Sequence, residues 1–505
     1  MFSQPASLDP TFGTNGIVVT NSTPHDEAYN IAMQPDGKIV ICGYSGSNGT
    51  MDFALSRYNT NGSLDNTFGN NGRVVTQVSQ ENDVARCVVI QPDGKIIVTG
   101  SSDSSNFTVI STVRYLPGGT PDPSFGTLGI VKTAAGSGGL SYGYTAALQP
   151  DGKIIVGGNA NLQNGAVNIA LVRYNSNGTL DPGFGANGIV SADMNNNYDH
   201  TFGIALQPDG KIVASVYTFD GVRYRFGVAR FNSNGSFDNS FGVGGKIISQ
   251  VGFDDVAKAI TLQADGKIII AGYTWNPSYT DTDMALARYN TDGSPDTTFG
   301  TGGIIIHPNS AGYDYLFSIT VQPDGKIIGA GESMIANYAD FLLARFNTDG
   351  SLDATFNTSG KVIVDMGYGL PDYASAVTLQ ADGKIVMAGF TFAPASAIDV
   401  ALARYLGGSL NVGVVDFAVD NNSVFVFPNP VSSNATIEYT LTQDESISIY
   451  ITDMQGRIVS TVLNNSAQEA GKHTQAFEMP ETIAAGNYLL VLSTEKEKIS
   501  VKITK

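Results

Sequence analysis

Along most of the chain, apolar and polar positions alternate in short runs that stop at Gly, Asn, Asp or Ser. Between residues 73 and 116 the runs read RVVTQV (Arg73–Val78), ARCVVIQ (Ala85–Gln91), KIIVTGS (Lys95–Ser101) and FTVISTVRYL (Phe107–Leu116). β-Branched residues dominate each run and no 3.6-residue apolar period competes with them, which predicts four consecutive strands. The second and third runs are joined by QPDGK. In the copy at Gln34, Pro35 presets φ at the first corner, Asp36 suits the second, and Gly37 supplies the left-handed residue. Together they close a type I turn with a G1 bulge, a hairpin connection.

The same text recurs down the chain. QPDGK or QADGK starts at Gln34, Gln91, Gln149, Gln207, Gln263, Gln322 and Gln380. An L-D-x-x-F-G-like element starts at Leu8, Leu64, Pro121, Leu180, Phe237, Pro295 and Leu352, and Arg-Tyr or Arg-Phe at Arg57, Arg114, Arg173, Arg230, Arg288, Arg345 and Arg404. The first and last turns lie 346 residues apart over six intervals, a period of about 58. A lone four-stranded sheet cannot bury both faces, but sheets stacked around an axis can. The expected fold is therefore all-β: a seven-bladed β-propeller of four-stranded antiparallel blades, followed by a small β-sandwich. A β-solenoid is the alternative, although its coils are usually shorter and lack tight antiparallel turns. The array starts at L-D-P-T-F-G and stops at Arg404–Tyr405 without an eighth such element, so Ile17–Thr20 is predicted to complete the last blade as its outer strand.

The L-D-x-x-F-G, Q-P-D-G-K-I and A-R-Y-N-x-x-G set resembles the delta-60 repeat of large secreted bacterial proteins, over roughly Leu8 to Tyr405. That resemblance implies architecture rather than a reaction. After Tyr405 the repeat stops, and the domain reading is 1–405 propeller, 406–426 linker and 427–505 C-terminal domain. In the last part, the alternating runs Thr436–Leu441, Ser446–Thr452, Asn487–Ser493 and Lys498–Thr504 read as an antiparallel sandwich. Pro428-Asn429-Pro430, Asp453-Met454-Gln455-Gly456-Arg457, Gly471-Lys472-His473, Gly486-Asn487-Tyr488 and the terminal Lys502-Ile503-Thr504-Lys505 make this tail similar to the type A C-terminal sorting domain of the Bacteroidetes type IX secretion system. The resemblance implies export on a signal peptide and passage across the outer membrane with the secretion machinery as partner. Removal of the domain and release or surface attachment would follow. The chain opens on MFSQPASLDPTFG, without a charged and then apolar leader, which reads as a mature start behind an initiator Met.

Charge narrows the partners. The net charge is −18, and residues 1–410 hold 22 Lys+Arg against 35 Asp+Glu, so a phosphate backbone would be repelled and nucleic acid is not expected. No apolar run reaches the roughly 18 residues that a spanning helix needs. A monomer without a cofactor is expected. Cys42 and Cys87 stand where other copies carry Thr99, Gly157 and Ala271, or Thr145 and Ala259, so they read as small buried hydrophobes. A disulfide between neighbouring repeats is the alternative.

Eight residues before each turn Gln stand Asp26, Asp83, Ser141, Asp199, Asp255, Asp314 and Asp372. Each Asp reads as a cap that accepts backbone N–H bonds where the chain enters a strand; a ring of Ca²⁺ sites is the alternative, since clustered oxygens suit that ion. The Asn-x-x-Gly segments at Asn290–Gly293 and Asn347–Gly350 read as Asx-type turns, because no Glu follows at the twelfth position of a calcium loop. The QPDGK turns and L-D-x-x-F-G links share one end of the propeller, and two variable loop sets share the other. To those loops the sequence assigns Tyr142, Tyr144, Tyr198, Tyr217, Tyr224, Trp275, Tyr279, Tyr313, Tyr315 and Tyr338. Trp275, Tyr279, Tyr217, Tyr224 and Tyr338 are the candidate ligand contacts, for a glycan or a protein partner; packing between blades is the competing role. No catalytic constellation is recognised. His25, His200 and His307 fall in different repeats and His473 in the tail, and marker intervals of 56–59 residues leave no blade a long insertion. The reading is a surface or secreted binding module. The alternatives are an extracellular polysaccharide hydrolase or lyase using loop acids such as Asp220 or Asp281, and a passive scaffold.

Deleting residues 428–505 is expected to leave the protein in the periplasm, as followed by cell fractionation. Normal surface delivery of that truncation would refute the sorting role.

Overall fold

The computed structural model describes residues 6–20, 25–47, 50–105, 107–195, 198–308, 312–335, 338–394, 397–407, 424–427, 431, 434–441, 444–452, 458–479, 486–493 and 498–505. Contacts divide the chain into two compact units, 1–409 and 410–505.

In the first unit each repeat forms one antiparallel set of four strands. The first set runs His25–Met33, Ile39–Ser47, Thr50–Tyr58 and the short Arg73–Thr76. The same succession starts again at Asp83, Ser141, Asp199, Asp254 and Asp314. The last set takes Asp372–Leu379, Ile385–Ala393 and Ala397–Tyr405 from the C-terminal side and Ile17–Thr20 from the N-terminal side, with Ile17 opposite Ala403 and Thr20 opposite Val400. The first strand of every set packs against the first strands of the sets on either side, and Asp372–Leu379 meets His25–Met33, so these strands surround a common axis.

Alternation decides what lies between the sheets. Val40, Cys42, Phe53 and Leu55 of the first set pack with Val88, Val98 and Val113 of the second. Phe12, Ala28 and Ile41 pack with Ala376, Val386 and Leu402 of the last. Each core is thus a layer shared by two sets, as expected when no sheet can bury both faces alone. Cys42 and Cys87 are free thiols in two different layers, which sets aside the disulfide alternative.

The hairpin turn has the predicted geometry. Gln34 N donates to Lys38 O (2.8 Å), Gly37 N donates to Gln34 O (2.9 Å), and Gly37 has φ of 83°. Lys38 then extends its ammonium to Asp65 of the L-D-N-T-F-G element (2.9 Å), and Arg57 donates Nε–H to the same carboxylate oxygen (2.7 Å). The Arg57 guanidinium lies over Phe68, 4.5 Å from the ring centroid, and donates to Pro117 O of the next set (2.6 Å). The three recurring markers are therefore parts of one interaction.

In the second unit, Phe425–Phe427, Asn434–Leu441 and Gly471–Glu478 form one antiparallel sheet. Ile458–Gln468, Glu445–Thr452, Asn487–Ser493 and Lys498–Thr504 form another. Ile437, Tyr439, Ile447, Ile449, Leu490 and Ile503 share a core. The strand Ile458–Gln468 was not among the predicted runs, because its second half, NNSAQ, offers no apolar alternation.

Asp65→Asn is expected to cost about 3 kcal/mol, because it leaves Arg57 and Lys38 around a neutral amide. The same change at Asp36, whose side chain is 58% exposed, should stay within about 0.5 kcal/mol. Urea melts of the two variants test this. Acid should act on the same clusters. Burial pushes Asp9 and Asp122 up, but bonds from Thr11 and Ser124 and the nearby Arg404, Lys384, Arg114 and Lys95 hold both at about 2. With folded values below the unfolded ones, their contribution is complete above about pH 4 and lost as pH falls toward 2.

Candidate functional site

Every first strand carries a β-bulge at the same place. Pairing skips one residue between Ala28 and Asn30, Ala85 and Cys87, Gly143 and Thr145, Thr201 and Gly203, Ala257 and Ala259, Leu316 and Ser318, and Ala374 and Ala376. The skipped residues are Tyr29, Arg86, Tyr144, Phe202, Lys258, Phe317 and Ser375. A bulge leaves its extra residue unpaired and re-aims the side chain. All of these residues line one cavity on the axis, of about 350 Å³, together with Glu27, Glu332 and Phe390.

The partner strand is adapted to the bulge. A Cβ on Gly43 would sit 1.7 Å from Glu27 O, and Cβ atoms on Gly100, Gly158, Gly272, Gly331 and Gly389 would lie 1.8–1.9 Å from the equivalent carbonyls. In these six sets the backbone is drawn so close that a side chain would clash, whereas the fourth set carries Val216 at this place.

The cavity is aromatic and charged at once. Tyr144 packs on Phe202 (centroids 4.6 Å apart), Phe202 stacks on Tyr217 (5.8 Å), and Tyr315 stacks on Phe317 (5.8 Å). Arg86 lies over Tyr29 (4.0 Å) and Lys258 over Phe202 (3.8 Å). Glu27 accepts hydrogen bonds from the hydroxyls of Tyr29 and Tyr44, both at 2.5 Å. Arg86 Nε is buried and makes no hydrogen bond. Burial pulls the Lys258 ammonium down to about 8, helped by the charge of Arg86, and burial pushes the Glu332 carboxyl up to about 8. His200 is pulled to about 4, chiefly by burial and then by Lys258.

Of the sequence candidates, Tyr217 packs against the wall of this cavity, stacked on the lining residue Phe202 and on His200 (4.7 Å). Tyr224 meets Tyr217 edge-on at 5.1 Å. Trp275 and Tyr279 form an outer pair (5.9 Å), and Tyr279, 50% exposed, donates its hydroxyl to Asp254 (2.8 Å). Tyr338 stands exposed at the start of Tyr338–Phe346 and is not brought to the cavity. The assignment of the aromatics to variable loops needs correction: Tyr142, Tyr144, Tyr217, Tyr224, Trp275, Tyr315 and Tyr338 are all strand residues. The alternation of the strands turns Tyr144 and Tyr217 toward the axis.

The aspartate ring resolves into separate caps. Asp83 accepts from Val78 N and Ser79 N (both 2.8 Å). Asp255 accepts from Val251 N (2.9 Å), Gly252 N (2.8 Å) and the Thr274 hydroxyl (2.6 Å). Asp199 and Asp372 take Met194 N (2.7 Å) and Met366 N (2.6 Å) in the same way. Asp26 and Asp314 pair with Arg73 and Lys361. Asp83, Asp199, Asp255 and Asp372 thus tie the preceding loop to the strand they open, and no group of metal-ligating side chains occurs among the described residues. Asp220 is paired with Arg225 (2.8 Å), and neither it nor Asp281 lines the cavity. In the tail, Gly486 exchanges two backbone hydrogen bonds with Lys505, Tyr488 is buried, and Lys502 lies in the last strand. Pro428, Asn429, Pro430, Asp453 and Gly456 lie outside the described residues.

Antiparallel four-stranded sheets around an axis, with side chains converging on a central cavity, define a β-propeller protein. The family described as "Domain of unknown function (DUF5122) beta-propeller" matches six times, at 34–68, 91–125, 149–184, 207–241, 263–299 and 322–356. The secretion system C-terminal sorting domain matches 425–505. The chain thus carries DUF5122 β-propeller repeats and a secretion system C-terminal sorting domain. No curated protein matches it. Among solved structures it is similar to polysaccharide lyase Uly1, at 10% identity and TM-score 0.44 over 76% of this chain and 90% of that one. It is also similar to a PQQ-bound aldose sugar dehydrogenase from Streptomyces coelicolor, at 14% identity and TM-score 0.34 over 77% and 98%. Likenesses this distant carry no argument about activity.

Glu332 should bind its proton below about pH 8. Its folded value lies above the unfolded one, so unfolding is progressively favoured as pH rises from about 4.5 to 8 and the penalty is complete above that. Glu332→Gln is therefore expected to raise the thermal midpoint more at pH 9 than at pH 6. An equal effect at both would contradict a protonated Glu332.

Proposed function

We propose that this chain is a secreted or surface-attached binding module: a closed seven-bladed propeller whose axial cavity takes a ligand, delivered by a C-terminal β-sandwich sorting domain. The domain reading of 1–405, 406–426 and 427–505 is kept, supported by the contact division after residue 409. One observation carries the ligand site. The repeat holds the bulge constant in all seven copies, yet the residue it aims at the axis is Tyr, Arg, Tyr, Phe, Lys, Phe or Ser. A purely structural position would be filled alike in every copy, as the Arg and Phe of the markers are. Aromatic walls with a few convergent polar groups in about 350 Å³ are what a small-ligand site needs.

A second reading, a hydrolase or lyase on extracellular polysaccharide, is favoured by the two cavity carboxyls. Glu332 is held protonated by burial, whereas Glu27 accepts two hydroxyl hydrogen bonds, and unlike carboxyls in one site suit general acid–base chemistry.

A glycan array and a dipeptide panel probed with the full chain and with Ser375→Trp test both readings. Ser375 is a small residue on the cavity wall, so the indole should fill the site and weaken binding by about tenfold or more. Equal binding by both proteins would place the ligand elsewhere. Product formation would replace the binding reading with the enzymatic one.

A further inference from the structure

The cavity is joined to the rim by a line of rings. From exposed Tyr279, centroid spacings run 5.9 Å to Trp275, 6.0 Å to Tyr313, 6.2 Å to Tyr315 and 5.8 Å to Phe317, which lines the cavity. Tyr313 immediately precedes the strand Asp314–Val321, Tyr315 lies in it and Phe317 is its bulge residue, and successive rings are parallel within 1° and 8°. All five rings keep some exposure.

A track of evenly spaced aromatic faces suits a chain of flat, hydroxylated rings with C–H faces, which is an oligosaccharide. An extended peptide would be held by main-chain hydrogen bonds to a strand edge, whereas this track offers side-chain rings. At the inner end the chemistry changes. Arg86 and Lys258 are held over rings and make no ion pair with a carboxylate among the described residues. Glu27 is taken up by two tyrosine hydroxyls. With burial favouring the neutral form of Glu332, the lining sets two cations against the one carboxylate of Glu27, an excess of positive charge inside a protein of net charge −18. That exterior would repel a polyanion, whereas a single carboxylate at the end of a neutral chain meets both conditions.

Resting on the axial-cavity reading, we infer that the ligand is a linear oligosaccharide capped by one acidic sugar, its carboxylate between Arg86 and Lys258 and its neutral residues stacked along Tyr315, Tyr313 and Trp275.

Calorimetry with the full chain tests this, using glucuronic acid, and aldobiouronic, aldotriouronic and aldotetraouronic acids, in which one glucuronic acid caps one, two or three xylose residues. Xylotriose and trigalacturonate are the neutral and polyanionic controls. Affinity should rise by at least about tenfold from the monosaccharide to the longest acid, and both controls should bind at least about tenfold more weakly than that acid. Trp275→Ala should flatten the dependence on length and leave glucuronic acid binding unchanged. Arg86→Gln and Lys258→Met should each remove the preference for the acid over xylotriose. Equal affinity for acid and neutral chains, no gain with length, or no binding of the acid-capped series overturns the inference. If some other ligand is then lost on Ser375→Trp, the cavity reading survives; if no ligand responds to that variant, both fall.

Discussion

The propeller depends on a buried arginine that serves two repeats at once. In the first six sets its Nε–H donates to the aspartate of the L-D-x-x-F-G element at 2.7–2.8 Å, and in all seven its plane lies over the phenylalanine of that element at 4.3–4.7 Å. Its Nη1 reaches a carbonyl of the following set: Pro117, Ser176, Ser233, Thr291, Thr348 and Gly407 in turn. Arg404 of the last set reaches back to Thr60 of the first and pairs through Nη2 with Asp9, which the N-terminal segment supplies. A buried charge with one partner missing destabilises by several kcal/mol. The chain must therefore bring residues 8–13 to its other end to satisfy Arg404, and closure of the ring is part of satisfying every arginine.

With the arginine contacts at the turn-and-link end and the shared apolar layers holding neighbouring sets together, the bulge positions at the axis are free to differ. The bulge and its facing glycine fix the backbone, and the residue at the bulge then points at the axis whatever its size or charge. Tyr29 and Arg86, or Phe202 and Lys258, thereby form cation–π pairs across neighbouring blades without disturbing any core layer. Scaffold and cavity lining are separated by position within a repeat, not by separate segments of chain.

This separation explains what the sequence made legible. Strand succession, hairpin turn and the closing role of Ile17–Thr20 follow from patterns written many times over, in which alternation and turn chemistry agree. Asp83, Asp199, Asp255 and Asp372 accept backbone bonds from residues a few positions upstream, which a sequence can suggest, whereas Asp26 and Asp314 pair with Arg73 and Lys361, 47 residues on. The cavity was not legible. Its residues stand three after each capping Asp, in the same alignment, but their variety looks like noise unless the bulge is known, and nothing in the run ARCVV announces that Arg86 is unpaired. The aromatics were assigned to loops for a related reason: an alternating strand with Tyr at the positions facing the axis reads like a polar loop edge. In the tail, the strand from Ile458 was missed because its partner, not its own composition, makes it a strand.

The cavity charges set one further constraint. Taking an ammonium and a guanidinium out of water costs several kcal/mol each before any compensation, and ring faces return about 0.5–2 kcal/mol per cation. The fold could have avoided the cost with apolar residues, as the third, fourth and sixth sets do with Tyr144, Phe202 and Phe317. Glu332 lies in the same wall, but burial favours its neutral form, which leaves Glu27, already bonded by two tyrosine hydroxyls, as the one carboxylate set against two cations. Destabilising charge kept at a shaped, aromatic, partly open centre supports the proposed ligand site. An arriving carboxylate would supply the Coulomb attraction that the rings provide only in part, and the dry aromatic wall would strengthen it relative to the same pair in water.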